Sequence, residues 1–122
     1  MNGIELLADT NFIIHLNQGS LQAEAFLDYK ISASFITEIE LLGSYNISKQ
    51  QKEIYKQILA ECVIYDMNTE IKKKCIALRN NYKIKTPDAI IAATAIIHDL
   101  PLLTLDNGFK NIKELNLIFI ES

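Results

Sequence analysis

Residues 86–97 read Thr86-Pro87-Asp88-Ala89-Ile90-Ile91-Ala92-Ala93-Thr94-Ala95-Ile96-Ile97, and this stretch decides the fold. Thr86 suits a helix cap, Pro87 suits the first helical position, and Asp88 places an acid in the first turn. The remainder is apolar on nearly all sides, which indicates a buried helix, and its alanines allow close approach to neighbouring elements. We therefore place this helix centrally in the fold.

Short apolar segments on either side of this helix have the length and composition of buried strands. Five are predicted, at residues 4–8, 31–34, 62–65, 102–105 and 117–120. Helical stretches alternate with them at residues 11–16, 20–29, 37–44, 48–61, 68–82 and 86–97, and a short turn or helix is expected at 109–115. Continuous apolar strands that alternate with helices are typical of a parallel sheet covered on both faces. The sequence therefore predicts an α/β fold with three layers.

The size and composition of the chain exclude several classes of protein. Of its 122 residues, 49% are hydrophobic and 22% are charged, which predicts one globular domain over residues 1–122 and excludes disorder. The net charge of −3 argues against a broad basic face for nucleic acid. The first residues lack the pattern of a signal peptide, and the longest apolar run, at 89–97, is far shorter than the roughly 18 residues that span a bilayer. We expect a cytoplasmic protein outside the membrane, with Cys62 and Cys75 as buried, reduced thiols.

Four carboxylates fall where parallel sheets collect functional residues, beyond the carboxyl ends of strands. Asp9 and Asp106 directly follow predicted strands. Glu40 lies about one turn into a predicted helix, and Asp88 lies in the first turn of another. Each has an ordinary structural explanation as well: a turn or helix cap for Asp9, a turn sequence for Asp106, a capping box with Thr37 for Glu40, and the helix dipole for Asp88.

Taken together, the four carboxylates indicate a site for a divalent cation. Two unit charges about 4 Å apart repel by roughly 4 kcal/mol at an effective dielectric near 20, so four acids at one edge require a cation or protonation. Oxygen donors without a neighbouring His or Cys favour Mg²⁺ or Mn²⁺ over zinc, and His15 and His98 both lie in apolar helical patterns. Such sites bind phosphates and carry out phosphoryl transfer or hydrolysis.

Four segments of the chain resemble the PIN-domain ribonucleases, and specifically the VapC-like toxins of bacterial type II toxin–antitoxin systems. They are LADTN at residues 7–11, SFITEIELLG at 34–43, TPDAIIAATA at 86–95 and LTLDNGF at 103–109. The resemblance covers nearly the whole chain and implies a PIN-like fold, with a five-stranded parallel sheet and an acidic pocket. The chain departs from the family at two positions, because Gly108 stands where many relatives carry a further acid and Leu105 stands where a basic residue is common.

The resemblance also implies roles for individual side chains. It assigns catalytic and metal-binding roles to the acidic quartet of Asp9, Glu40, Asp88 and Asp106. It implies that the Thr104 hydroxyl orients one of these carboxylates, and that Asn11 does likewise from the start of the first helix. It does not select Glu38, which faces elsewhere on its helix, or Asp66, which we interpret as a loop or cap residue.

The function implied by the resemblance is that of a metal-dependent endoribonuclease, the toxin of a toxin–antitoxin pair, with a homodimeric assembly. One or two Mg²⁺ or Mn²⁺ ions are expected to assist hydrolysis of an RNA phosphodiester, leaving a 5′-phosphate and a 3′-hydroxyl. Glu40 is one candidate for the carboxylate that accepts the proton of the attacking water. The sequence leaves this assignment, the number of ions and the RNA target open.

Two surfaces are predicted to contact partners. Lys83 and Lys85 lead into Asp88 and are expected to contact RNA phosphates, whereas the lysines at 72–74 equally fit the solvated face of a helix. Apolar residues at 12–16 and 54–59 are predicted to line a groove for an amphipathic antitoxin helix, with plain core packing as the alternative.

Two other functions remain open at the level of sequence. The chain could be a non-catalytic PIN-like module that binds RNA or protein, or a DNase or structure-specific nuclease of the same fold. Receiver domains and HAD-like phosphatases require further acids close to the first one, and Thr10 and Asn11 argue against both.

Overall fold

A parallel sheet of five strands lies at the centre of the protein. The structure is a computed structural model that describes residues 3–121, without the side chain of Leu21. The strands are β1 Glu5–Ala8, β2 Lys30–Ser34, β3 Val63–Tyr65, β4 Leu102–Thr104 and β5 Leu117–Phe119, in the order β3-β2-β1-β4-β5. All four neighbouring pairs are parallel, which confirms the predicted sheet.

Helices cover both faces of this sheet and give the predicted three layers. They are α1 Thr10–Asn17, α2 Leu21–Glu24, α3 Phe35–Leu42, α4 Lys49–Ala60, α5 Thr69–Asn81 and α6 Thr86–Ile97, with a 3₁₀ turn at Asn107–Phe109. Successive residues of β1 point to opposite faces. Leu7 therefore packs into the core beneath α5 and α6, whereas Leu6 and Ala8 pack into the core beneath α1 to α4.

The helix α6 is buried over most of its length, as its composition predicts. Every residue from 89 to 95 is buried, and Ala89, Ala92 and Ala93 have no exposed surface. The Thr94 hydroxyl donates to the Ile90 carbonyl at 2.7 Å, so the one polar side chain in this run is satisfied within the helix. The small side chains let α6 lie close against the sheet, and its first turn reaches the carboxyl edge of the strands.

The strand order places a topological switch point between β1 and β4. From β1 the chain proceeds outward through β2 and β3, and it returns to the other side of β1 for β4 and β5. The loops that leave β1 and β4 therefore diverge and open a crevice at the carboxyl edge, where open α/β sheets bind their ligands. The backbone N–H of Asp9 donates to the Leu103 carbonyl at 3.1 Å and joins the two strand ends at this crevice.

The predicted helix at residues 20–29 is wrong over most of its length. The α-helix ends at Glu24, and the following residues form turns in which Leu27 N–H bonds to the Glu24 carbonyl and Tyr29 N–H to the Phe26 carbonyl. Within these turns, the Phe26 ring packs edge-on against the Phe12 ring, with 6.4 Å between the ring centroids. Tertiary aromatic contacts have thus overridden the local helical pattern.

Two predicted helix starts also differ from the structure. The helix α3 begins at Phe35 and is capped by Ser34, whose hydroxyl accepts the Ile36 N–H at 3.2 Å. Thr37 is therefore buried inside the helix, and the capping-box explanation of Glu40 is wrong. In α6 the cap position is Lys85, without a side-chain hydrogen bond, so that Thr86 is the first helical residue.

The structure bears on two further expectations. Among residues 3–121, no helix combines the length and the apolar content needed to cross a bilayer. Neither Cys62 nor Cys75 forms a disulfide bond. Cys75 is buried as expected, whereas Cys62, which follows α4, is partly exposed.

The packing of α6 predicts that added volume destabilises the protein. Ala92→Leu should lower the free energy of unfolding by about 1–3 kcal/mol, because the site has no exposed surface and no room for three further carbon atoms. Urea denaturation measures this change. The same substitution at Ala77, on the exposed side of α5, should change the stability by less than about 0.5 kcal/mol. An equal loss of stability at the two positions would contradict the close packing of α6 against the sheet.

Candidate active site

Asp9 stands where β1 ends and α1 begins, and both of its carboxylate oxygens accept hydrogen bonds. Oδ1 accepts the Phe12 N–H at 2.8 Å, as the cap of α1, and Oδ2 accepts the hydroxyl of Thr104 on the neighbouring strand. The residue is only 3% exposed. The helix that it caps and the strand beside it therefore hold this carboxylate in one orientation.

Thr104 connects Asp9 to the second acidic loop. It is the last residue of β4 and is fully buried, and its hydroxyl oxygen accepts the Asp106 N–H at 2.9 Å. Asp106 in turn caps the 3₁₀ turn, where its Oδ1 accepts the Gly108 N–H at 2.8 Å. A Cβ atom at position 108 would lie 3.2 Å from that oxygen, which is closer than an ordinary contact. The glycine therefore avoids a steric conflict with the Asp106 carboxylate.

Glu40 reaches the same region from α3, where a pair of threonines holds it. The Thr10 hydroxyl oxygen lies 2.6 Å from Glu40 Oε1 and 3.0 Å from the hydroxyl of Thr37. A hydroxyl carries a single proton, so Thr10 donates to the carboxylate and accepts from buried Thr37. The Glu40 side chain itself remains exposed, with one oxygen anchored.

The four predicted acids line one cleft, which we call the acidic pocket. It has a volume of about 230 Å³ and is lined by Asp9, Thr10, Asn11, Ile14, Glu40, Asp88, Ile91 and Asp106. Thr104 lies behind it, bonded to Asp9. The Glu38 and Asp66 side chains are not part of the lining, and neither are Lys83 and Lys85.

Burial and mutual repulsion raise the pKa of two carboxyl groups in the acidic pocket. For Asp9 the pKa rises from 3.8 to about 6, chiefly through burial and further through the charges of Asp106 and Asp88, while the bonds from Thr104 and Phe12 oppose the rise. The pKa of Asp88 is raised by burial and by the charges of Asp106 and Glu40, against the attraction of Lys85. The protein therefore concentrates negative charge here at a cost to its own stability.

The donor set of the acidic pocket fits a hard divalent cation. Carboxylate oxygens are the ligands that Mg²⁺ and Mn²⁺ prefer, and a cation would offset the repulsion that raises these pKa values. In the described part of the chain, no three His, Cys, Asp or Glu side chains converge closely enough to ligate one ion directly. Binding therefore requires small side-chain movements or bridging water, which suits Mg²⁺ because it usually keeps several waters.

Sequence reasoning missed the two threonines that hold Glu40. The sequence pattern assigns no role to Thr10, which lies in the LADTN segment, and it suggests a helix cap for Thr37. Their contact joins residues 27 positions apart in the sequence, so local patterns carry no signal for it. Asn11 lines the acidic pocket as an exposed side chain at the start of α1.

Comparison with known families and sequences agrees with this geometry. A family profile described as the PIN domain matches residues 6–115. The chain belongs to the PIN-domain family. This PIN domain is 30% identical over 132 aligned positions to Ribonuclease VapC1 of Rickettsia felis. The alignment covers 96% of this chain and 97% of the relative. Ribonuclease VapC of Rickettsia bellii is also 30% identical, over 94% of this chain and 96% of its own.

Solved structures with the same fold come from toxin–antitoxin complexes. The PIN domain matches a chain of the toxin–antitoxin complex from Klebsiella pneumoniae with a TM-score of 0.80 and 32% identity, covering 93% of this chain and 95% of that one. It also matches VapBC2 from Rickettsia felis, solved with a DNA fragment from the promoter, with a TM-score of 0.85 over 97% and 100% of the two chains. At 21% identity the second match shows the fold alone.

The raised pKa of Asp9 predicts that stability falls as the pH rises. Between pH 3.8 and about 6 the unfolded chain releases this proton while the folded protein keeps it. Relative to the Asp9→Asn protein, the wild type should therefore lose up to about 3 kcal/mol of unfolding free energy between pH 4 and pH 7. Urea denaturation across this range measures the difference. Asp66→Asn, which removes an exposed acid, should keep the wild-type profile, and identical profiles for all three proteins would contradict the prediction.

Proposed function

We propose that this PIN domain is a metal-dependent endoribonuclease and the toxin of a toxin–antitoxin pair. The observation that carries the proposal is the meeting of four carboxylates, from two loops and two helices, in a single cleft at the switch point of the sheet. The names of the VapC relatives, which are 30% identical over nearly the full chain, support RNA as the substrate.

Asp9, Glu40, Asp88 and Asp106 are the proposed ligands of one or two Mg²⁺ or Mn²⁺ ions, directly or through water. When bound, a divalent cation lowers the pKa of a water and neutralises charge on the phosphate oxygens. The protein contributes the orientation of its carboxylates: Thr104 and the Phe12 N–H hold Asp9, and Thr10 holds Glu40. Fixed acids of this kind need little reorganisation during the reaction.

Glu40 is the proposed acceptor of the proton from the attacking water. Both oxygens of Asp9 already accept hydrogen bonds, whereas Glu40 is exposed to the cleft with a single oxygen bonded to Thr10. A general base must be within hydrogen-bond reach of the proton that it takes, and an exposed carboxylate with a free oxygen meets this condition.

The proposed antitoxin site is an apolar groove on the opposite side of α1. It has a volume of about 370 Å³, and its lining includes Phe12, Ile13, Leu16, Leu27 and Ile58. Leu27 is 56% exposed, which gives the groove an apolar rim. Such a surface fits the apolar face of an amphipathic helix. Of the expected residues, Phe12, Ile13 and Leu16 line the groove, and of the segment 54–59 only Ile58 does. Phe12 and Ile13 are at the same time core residues, in line with the alternative of plain core packing. The homodimer remains a prediction.

Removing one carboxylate of the quartet should abolish most of the activity. Asp9→Asn and Asp88→Asn keep the side-chain volume and, at position 9, a capping oxygen, but they remove a charge that would hold the cation. Because metal assistance is worth several kcal/mol, cleavage of single-stranded RNA with Mg²⁺ should fall at least about a hundredfold. EDTA should have the same effect on the wild type.

Asp66→Asn is the matched control, because it removes an exposed acid outside the acidic pocket and should leave the cleavage rate unchanged. Full activity of the Asp9 and Asp88 variants would contradict the site assignment. Equal cleavage of RNA and DNA by the wild type would indicate a nuclease without RNA selectivity, and RNA binding without cleavage would indicate a non-catalytic module.

Lys83 and Lys85 are the proposed phosphate contacts beside the acidic pocket. They lie on the loop between α5 and α6, which is anchored where Arg79 Nε donates to the Ile84 carbonyl at 3.3 Å and where the Lys113 N–H donates to the Tyr82 hydroxyl at 3.2 Å. Both lysines are exposed, and the charge of Lys85 acts on Asp88. An anchored loop holds these cations close to the first turn of α6.

Neutralising the two lysines should weaken RNA binding in a salt-dependent manner. For the Lys83→Gln, Lys85→Gln double variant, the slope of log affinity against log salt should fall by about 1.4, because each phosphate contact on a single strand contributes about 0.7. Fluorescence anisotropy with a labelled oligonucleotide at several salt concentrations gives this slope. The Lys72→Gln, Lys73→Gln protein, altered on the exposed face of α5, should keep the wild-type slope. An equal loss in both proteins would contradict a specific role for the loop.

A further inference from the structure

A second cavity opens directly beside the acidic pocket, and we call it the loop cavity. It has a volume of about 250 Å³ and lies between α1, α3 and the start of α4. Its walls include Ile14, Glu40, Ser44, Asn46, Gln51 and Tyr55. Ile14 and Glu40 line both cavities, so the two cavities adjoin. A strand with a phosphate in the acidic pocket would bring its neighbouring nucleotide toward the loop cavity.

Gln51 lines the loop cavity, and the nitrogen of its side-chain amide is packed inside the protein without a hydrogen-bond partner. Its side-chain nitrogen Nε2 is buried from water and has no hydrogen-bond partner, a combination found at no other buried side-chain nitrogen or oxygen among the described residues. A buried donor without a partner costs about 1–3 kcal/mol. Rotation of the Gln51 side chain toward an acceptor bound in this cavity, such as a carbonyl oxygen or an aromatic ring nitrogen, would remove that cost.

Tyr45 stands on the loop that forms the rim of the loop cavity. It lies between Ser44 and Asn46, which line the cavity, and it is 96% exposed. A fully exposed aromatic ring contributes nothing to the core, but it offers a face on which an unpaired base can stack. The aromatic ring and the unpaired amide thus occur within one loop and the first turn of the following helix.

We propose that the loop cavity is a nucleobase subsite, in which the Gln51 amide donates to a base of single-stranded RNA and Tyr45 stacks on that base or on its neighbour. This inference rests on the proposed nuclease function and adds to it the element that selects the cleavage sequence. None of the lining residues is Lys or Arg, so the cavity suits an uncharged base rather than a phosphate. Arg and Lys side chains have only donors, so neither would satisfy the amide nitrogen of Gln51.

The first test measures binding without any cleavage. ¹⁵N-labelled protein is titrated with the four nucleoside 5′-monophosphates and with ribose 5-phosphate, and the side-chain amide signals of Gln51 are identified by their loss in Gln51→Met. At least one nucleotide should shift these signals, and ribose 5-phosphate should not. An equal response to ribose 5-phosphate, or no response to any nucleotide, overturns the subsite whether or not the protein proves to be a nuclease.

The second test measures cleavage of a randomised RNA pool with Mg²⁺. Gln51→Met should flatten the base preference at one position next to the cleaved bond and raise KM more than it lowers kcat. Tyr45→Ala should weaken binding about fivefold to 150-fold, the range that corresponds to loss of one base stack, and Tyr45→Phe should restore it. Gln50→Ala, one residue away and outside the cavity lining, is the control.

The outcomes separate the subsite from the proposed function. An unchanged base preference in Gln51→Met, with full cleavage, overturns the subsite and leaves the nuclease assignment in place. Loss of self-association in Tyr45→Ala, measured by light scattering, would assign Tyr45 to an interface between two copies of the chain and overturn its stacking role. Protection of the Gln51 amide by an antitoxin segment but by no nucleotide would assign the cavity to the partner protein instead.

Discussion

The Thr104 hydroxyl joins the ends of the two central strands, and the arrangement of the acidic pocket depends on this group. It donates to Asp9 beyond β1 and accepts from the backbone of Asp106 beyond β4. β1 and β4 are neighbours from which the chain proceeds in opposite directions, so their loops diverge beyond the backbone bond from Asp9 to Leu103. One buried hydroxyl thus sets the separation of two carboxylates that repel each other. The same bond fixes Asp9 as the cap of α1, the helix that also forms a wall of the apolar groove.

The acidic pocket also changes how the net charge of −3 bears on RNA binding. A uniform acidic surface would repel RNA, but here four of the 15 acids are gathered in one cleft, where burial and repulsion raise the pKa of Asp9 and Asp88. Such a concentration of charge lowers the stability of the protein and is typical of a site whose function requires it. Under the proposed function, the exposed Lys83 and Lys85 would contact phosphates without a broad basic face.

The residues that sequence reasoning could place are those whose position depends on local chain order. Asp9 and Asp106 directly follow apolar strands, and Asp88 follows a proline in the first turn of a buried helix, so a parallel sheet brings all three to one edge. Glu40 was also placed there, but its local explanation as part of a capping box was wrong, since Ser34 caps the helix. The contact between Thr10 and Thr37, the early end of α2 and the unpaired amide of Gln51 depend on side chains that meet across layers, and no local pattern contains them.

The sequence by itself determined the α/β class and the central position of α6, because strand and helix periodicities and the apolar composition of residues 89–97 are local properties. It also determined which four acids to expect at the carboxyl edge of the sheet. Only the tertiary structure decided how the carboxylates are held, which cavity adjoins them and where the apolar groove lies. These features arise from the strand order β3-β2-β1-β4-β5, which brings together residues far apart in the sequence, such as Asp9 and Thr104, which are 95 positions apart. Hydrogen bonds and cavities of this kind form only when distant segments pack, and the free energy that orders them comes from the common core rather than from any one segment.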